Sequence, residues 1–481
     1  MTAFTLELGL GVLLLLVFAA SLGARGGDRR WIAWLATGGV LVLGIVSAFL
    51  KPTPPALFGM FVQDGLAIFA KRLFLVATFI GLLAGISTDA VACGRRAGEY
   101  HLLVLSSLFG MLVLASARDL ILLFVAFELM SIPLYVLTGF LKRQDEAVEA
   151  ALKFFLVGSV SSAVMAYGLS FVYGAARTTD LGGIAQAFGP GQPLVLLGLL
   201  AAFAGFAFKI AAFPFHMWVP DTYEAASTPF VAWLSVAPKA AGFVALFRVY
   251  FEGMGDRAAV WIPIAAGLAA ITIVAGNLMA LPQQNTKRLL AYSGIAHIGY
   301  MLVGFAAASV SGTAMVLFYL VAYVFGNMGA FLVVEAVARS ERSEATAALR
   351  GLAQRSPLLA LAMLLFLLSL GGIPFVAGFL AKLYVFWAAA AAGLYWLVLL
   401  GALLTVVALF YYLLVAKRMY IEPPDAAAGP VSMSRTLAVA LILCALAVVG
   451  LGLYPKPIVM AALRVPAPLF LSPKSPSTRL G

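Results

Sequence analysis

Apolar residues run along this chain in blocks of roughly 18 to 25, each long enough to cross a ~30 Å hydrocarbon layer as an α-helix. Short stretches between the blocks hold most of the arginine. The blocks are continuous rather than alternating in period two, which excludes a transmembrane β-barrel. By length the pattern predicts about 14 spans, from Ala3–Leu22 to Thr436–Leu453. The fold class that follows is an all-α membrane protein. One block, Pro357–Ala391, is too long for a straight crossing, and Gly371-Gly372-Ile373-Pro374 near its middle predicts two half-helices. The first block has Glu7 as its first charge instead of a basic cluster, so it reads as a retained helix and not a signal peptide.

Spans four to eight and nine to thirteen make two sets of five, and an odd number of helices gives the second set inverted polarity. In each set the fourth member carries a lysine near a helix break: Lys209 before Pro214, and Lys382 after Gly371 to Pro374. Two inverted five-helix repeats containing broken helices are therefore expected, an architecture of ion and proton transporters. Residues 1–98 then form an N-terminal three-helix segment, 99–256 the first repeat, 257–420 the second, and 421–481 a C-terminal helix and tail. The tail from Lys456, rich in proline and serine, is expected to be irregular.

Composition sharpens this picture. With 63% hydrophobic and 11% charged residues and a mean hydropathy of +1.05, the chain has no wet surface of the size a soluble domain needs. The net charge of +11 is spread over short loops, which fits orientation in a lipid bilayer and excludes a nucleic-acid face. Arg25, Arg29, Arg30, Arg95, Arg96, Lys142, Arg143, Lys287, Arg288, Arg339, Arg342, Arg350, Arg355, Lys417, Arg418 and Arg435 gather on one side. Lys71, Arg72, Arg118, Arg177, Arg248 and Arg257 fall on the other. The positive-inside rule puts the larger group in the cytoplasm and both termini outside. Cys93 and Cys444 have no CxxC spacing, so no disulfide framework, metal site or iron–sulfur ligand set is indicated.

Charges in terminal turns, such as Lys71, Arg72 and Arg248, are expected to snorkel to the headgroups. Five others fall inside spans: Glu128, Lys153, Lys209, Lys239 and Lys382. Facing lipid, they would cost roughly 2.5 to 3.5 kcal/mol each, on the order of 12 to 18 kcal/mol together. They must face one another or water. Burial disfavours the charged form of an amine and a nearby carboxylate restores it, so lysines beside Glu128 are suited to taking up and releasing protons. Pro214, Pro238 and the Gly371 to Pro374 tract supply unwound backbone that can hold water between them. Lys153 lies only one to two turns into its span, so snorkelling and a relay role both fit it. His297 reads as a helix-packing histidine, and Trp218, Trp233 and Trp261 as an interfacial belt. Gly158, Ser159, Ser161 and Ser162 read as a close-packing face. No P-loop, dinucleotide fingerprint or metal-ligand cluster is present, so no cofactor-binding or metal residue is assigned.

FKIAAFPFHMWVPDTYEAASTPFVAWLSVAPKAAGF, EAALKFFLVGSVSSAVMAYGLSFVYG and GGIPFVAGFLAKLYVF together resemble subunit N of proton-translocating NADH:quinone oxidoreductase, respiratory complex I. PFHMWVPDTYE is shared with the wider antiporter-like group, while ALKFFL and VAPKAA are similar to subunit N in particular. The chain departs from the family pattern after Tyr223-Glu224, where Ala225-Ala226-Ser227-Thr228-Pro229 replaces the usual glycine and additional proline. The resemblance implies a membrane-arm subunit of a translocase in a bacterial inner membrane, with Glu128, Lys153, Lys209, Lys239 and Lys382 as its proton relay. It implies no redox chemistry within this chain. Electrons would pass from NADH through FMN and iron–sulfur clusters to quinone in partner subunits. The implied partners are other membrane-arm subunits, namely an antiporter-like M subunit and small K- and J-type subunits. A subunit of a multisubunit sodium/proton antiporter is the alternative, and a passive spacer a third reading that five buried charges disfavour.

Overall fold

The computed structural model describes residues 2–23, 29–87, 94, 96–141, 144–187, 193–254, 258–424 and 429–465. The expectations for Arg25, Cys93, Arg95, Lys142, Arg143, Arg257 and the tail beyond Val465 lie outside these residues. The chain opens with α1 (Thr5–Gly23), α2 (Arg30–Ala48), α3 (Gly65–Gly85), α4 (Ala97–Ser116), α5 (Leu120–Thr138) and the long α6 (Asp145–Ala176). A short α7 (Leu181–Ala187) precedes α8 (Pro193–Ile210), α9 (Trp218–Ala225), α10 (Thr228–Leu234) and α11 (Ala237–Phe247). Next come α12 (Ala258–Ala280), α13 (Thr286–Ala306), α14 (Val310–Glu341) and the single turn α15 (Leu352–Arg355). The chain continues through α16 (Pro357–Gly371), α17 (Ala377–Ala391), α18 (Tyr395–Tyr420), α19 (Arg435–Leu453) and α20 (Lys456–Arg464).

Among the described residues, 12 segments are long and apolar enough to cross a membrane, with α10 and α11 counted as one. Taking α8 as one passage and the α16–α17 pair as another brings the total to the about 14 that hydropathy predicts. Several starts are set by a side-chain oxygen that accepts the free backbone N–H groups of the first turn. Asp64 takes Ala67 N, Asp119 takes Ile121 N and Leu122 N, Asn285 takes Lys287 N and Arg288 N, and Ser309 takes Gly312 N. The long apolar block divides at the expected place: Gly372, at φ +83°, ends α16, and α17 begins at Ala377. Close approach of α12 and α13 depends on Gly276, where a Cβ would fall 2.4 Å from Ala296 N.

Burial is graded across the molecule. The apolar windows of Thr228–Glu252, Thr286–Ala306 and Val310–Glu341 are 100%, 94% and 94% buried, against 28% for Thr5–Gly23 and Arg435–Leu453. The outer helices turn large side chains such as Leu15, Leu446 and Val406 outward, as helices facing lipid do. Polar groups on α10, α11, α13 and α14 are therefore screened from lipid by the helices around them.

Three expectations are corrected here. Trp218, Trp233 and Trp261 are buried and not interfacial: the Trp233 indole donates to Thr78 Oγ1 at 2.9 Å and that of Trp218 to the Phe208 carbonyl at 3.1 Å. The start of the tail forms α20. Lys71 and Arg248 do not snorkel, since both are fully buried. Lys71 pairs with Glu7 at 2.6 Å. Arg248 forks onto both oxygens of Asp64 at 2.6 and 2.7 Å, and also reaches Glu252 and the Ala115 carbonyl.

Candidate functional site

Three helix interruptions each place one lysine in the interior. The first follows α8, where Ala211 takes φ +67° and a cis peptide links Phe213 to Pro214. The released backbone is taken up locally: Trp218 covers the Phe208 carbonyl, and Phe213 N donates to Thr272 Oγ1 at 3.1 Å. Lys209 points the other way, buried, and its Nζ donates to Ser131 Oγ on α5 at 2.8 Å, over the ring of Phe127. One turn before Ser131, Glu128 accepts a hydrogen bond from Ser162 Oγ on α6 at 2.5 Å. Glu128 is the charged group acting on Lys209, although no direct ion pair within 4.0 Å joins them among the described residues. The serine on the expected packing face thus holds the carboxylate instead.

The second interruption lies between α10 and α11. Val236 leaves helical geometry, Pro238 opens α11, and Asn327 Nδ2 on α14 donates to Ser235 Oγ at 2.7 Å. Lys239 follows, 1% exposed, with its Nζ 5.4 Å from the centroid of the Tyr223 ring. Its Nζ and the hydroxyls of Tyr223 and Tyr323 are buried without a hydrogen-bond partner among the described residues. They are the kind of groups that bridging water satisfies. Gly294 keeps this space open: a Cβ there would lie 2.8 Å from Tyr323 Oη and 3.6 Å from Lys239 Nζ.

At the third interruption, Lys382 on α17 reaches back across the break to the carbonyls of Leu370 and Gly371, at 2.9 and 3.2 Å, over the ring of Tyr300. Those carbonyls end α16, where the helix dipole favours a cation. His297 on α13 lies between the second and third lysines, and both act on it electrostatically. Its Nδ1 contacts Tyr319 Oη at 2.8 Å and its Nε2 contacts Tyr412 Oη at 3.4 Å, while Tyr412 also bonds Ser293. The histidine expected to serve packing alone therefore stands among the charges, a position that a lone polar residue in AYSGIAHIGYM does not disclose.

Lys153 stands apart from this interior. Its side chain is 50% exposed and pairs with Glu149 at 2.8 Å and Asp221 at 3.0 Å. It lines an open cavity of about 620 Å³ at the N-terminal end of α6, shared with Glu224, Lys287, Glu335 and Glu344. Asp221 also pairs with Arg288 at 3.0 Å. Burial pushes the Asp221 carboxyl up, but the hydrogen bonds and charges of Lys153 and Arg288 outweigh it and hold the group below its ordinary value. Glu335, 6% exposed near the end of α14, is a buried carboxylate outside the sequence-selected set. The signal for it is a single acid in the apolar run FLVVEAVA, two residues from the expected end of its span.

Broken helices with a buried amine seated at each of three breaks are an arrangement of ion-transporting membrane proteins. Residues 117–408 match the family described as NADH:quinone oxidoreductase/Mrp antiporter, transmembrane. NADH-quinone oxidoreductase subunit N of Moorella thermoacetica is 42% identical over 470 residues, 97% of each chain. That of Trichlorobacter lovleyi is 39% identical, over 95% of this chain and 93% of the relative. A chain of respiratory complex I from Thermus thermophilus with bound aureothin superposes with a TM-score of 0.82 at 32% identity, over 95% of this chain and 99% of that one. A chain of the Mrp complex from Dietzia shares the fold, with a TM-score of 0.87 at 20% identity and 98% of both chains covered. The chain belongs to the family of NADH-quinone oxidoreductase subunit N.

Proposed function

We infer that this protein is a membrane-arm subunit of a proton-translocating NADH:quinone oxidoreductase, conducting protons while partner subunits carry the electrons. The observation that supports it most is the row of buried amines, Lys209, Lys239 and Lys382, each at a helix break, with Glu128 beside the first and His297 between the other two. In the reading proposed, Glu128 and Lys209 set the charge at one end of a lateral path. Lys239, His297 and Lys382 pass protons across its remainder, and Lys153 serves its mouth. Amines lacking a direct carboxylate partner change protonation state at smaller cost than amines locked in an ion pair. Redox cofactors, FMN and iron–sulfur clusters with quinone as acceptor, belong to the partner subunits. Those partners include an antiporter-like M subunit and small K- and J-type subunits.

The two sets of five helices are read as inverted repeats. In support, α6 and α14 are each 32 residues long, and an interruption beside a lysine follows each. Both termini are read as periplasmic in a bacterial inner membrane, a reading that the excess of arginine and lysine in one set of loops supports. Replacing Lys239 by alanine in the assembled complex tests the reading. NADH-driven acidification measured in vesicles is expected to fall on the order of a hundredfold, with the complex still assembled. Normal acidification, or transport that requires sodium without any redox partner, would overturn it.

A further inference from the structure

The open cavity that holds Lys153 reaches further inward than its rim of charges. Its deepest acid is Glu335, which sits on α14 inside an apolar stretch and is 6% exposed. Around it stand Thr228 on α10, Lys287 on α13, Tyr100 on α4, Arg339 on its own helix and Glu344 just beyond that helix. Lys287 is itself held by Glu344 at 2.8 Å and by the Ala226 carbonyl at 2.9 Å, so it braces the cavity wall and leaves Glu335 without a direct ion pair among the described residues. One helical turn inward from Glu335, Phe331 packs edge-on against Tyr223, with ring centroids 5.7 Å apart. Tyr223 follows Thr222 and precedes Glu224, a residue of the cavity wall, and its ring faces Lys239 on the other side. Thr222 Oγ1, Tyr223 Oη and Lys239 Nζ are all buried without a hydrogen-bond partner among the described residues. Unpaired polar atoms thus lie between the open cavity and the middle amine, amid otherwise apolar packing.

Resting on the reading of this chain as a proton-conducting subunit, we propose that the cavity is the mouth through which it loads protons. Glu335 is the first intramembrane acceptor, and Tyr223 the relay to Lys239. The step conserves protons. A protonated Glu335 passes one proton by way of bridging water to the Tyr223 hydroxyl, which releases its own to the neutral Lys239 amine. The end state is a Glu335 carboxylate, an unchanged phenol and a Lys239 ammonium. The route meets the row of amines at its middle and not at Lys153, whose pairing with Glu149 and Asp221 keeps it on the rim.

The test uses the assembled complex in vesicles, comparing Glu335→Gln, Glu335→Asp, Tyr223→Phe and Lys239→Ala by proton movement per NADH oxidised and by its dependence on pH at the cavity side. Glu335→Gln is expected to lower proton movement about tenfold or more, with onset of the loss moved to lower cavity-side pH, and Glu335→Asp to restore most of it. Tyr223→Phe keeps the ring packing and removes only the hydroxyl, so it carries the test if Glu335→Gln fails to assemble, and the same loss is expected. Wild-type movement and pH profile in Tyr223→Phe and in any assembled Glu335→Gln, alongside a dead Lys239→Ala, would overturn this route and leave the conduction reading intact. Wild-type movement in Lys239→Ala would remove both.

Discussion

Two sets of charges in this molecule are equally buried and are finished in opposite ways. Lys71 with Glu7, and Arg248 with Asp64 and Glu252, are closed pairs with carboxylates at 2.6 Å to 3.3 Å. Lys209, Lys239 and Lys382 are just as hidden, yet each rests on a serine, a tyrosine face or carbonyl oxygens. Removing half of a closed pair strands a charge. Removing a proton from Lys239 or Lys382 strands no paired carboxylate. Burial alone therefore does not separate the two sets; the presence or lack of a direct counterion does.

The comparison can be broken at several strengths. The largest expected effect is structural: Arg248→Ala leaves the Asp64 carboxylate without its counterion and the Ala115 carbonyl without the guanidinium, and should cost about 3 to 5 kcal/mol of stability. A lowered thermal midpoint in detergent would register that loss, while any assembled complex keeps its proton movement per electron. Next comes Gly294→Ala, which wedges a methyl group between Tyr323 and Lys239. It should cost about 1 to 3 kcal/mol from overpacking and also slow acidification, a pairing of effects that Arg248→Ala does not show. Exchanging Glu7 and Lys71 together for leucine and methionine removes a closed pair whole, and stability within about 1 kcal/mol of wild type is expected. Either single exchange should be worse, and a double variant as unstable as the singles would contradict the distinction drawn above.

The smallest effect concerns Asp221, at the cavity rim and 34% exposed along its side chain. Its carboxyl titrates below the ordinary value of 3.8, so its stabilising contribution is complete above that value and is lost as pH falls through the lower folded one. Asp221→Asn should flatten the acid limb of a stability–pH curve and leave the neutral limb unchanged, a difference that added salt shrinks.

Lys209, Lys239, Lys382 and their breaks were legible in the sequence because an amine or a proline in an apolar run has few structural explanations. The broken Pro357–Ala391 span was legible for the same reason. Lys71 and Arg248 were not, because Glu7 and Asp64, the carboxylates nearest to them, lie far away in sequence; Arg248 and Asp64 are 184 residues apart. Glu335 was hidden by lying near a helix end, where an acid passes for an interfacial residue. The three tryptophans were misplaced because an indole suits a wet boundary and a buried carbonyl equally well. His297 shows the same limit: whether a histidine is packed or engaged depends on which hydroxyls the neighbouring helices bring.

The stacked tryptophan at the first break has an electrical consequence. With its ring 4.0 Å from that of Phe154 and its N–H on the Phe208 carbonyl, which also accepts from Ala211 N at 3.0 Å, Trp218 packs aromatic bulk against that break. A conductor that runs sideways in a membrane needs insulation on its flanks, or the voltage it helps build drains back through it. A smaller residue at position 218 is then expected to raise passive proton leak, measured as faster decay of an imposed pH gradient in vesicles.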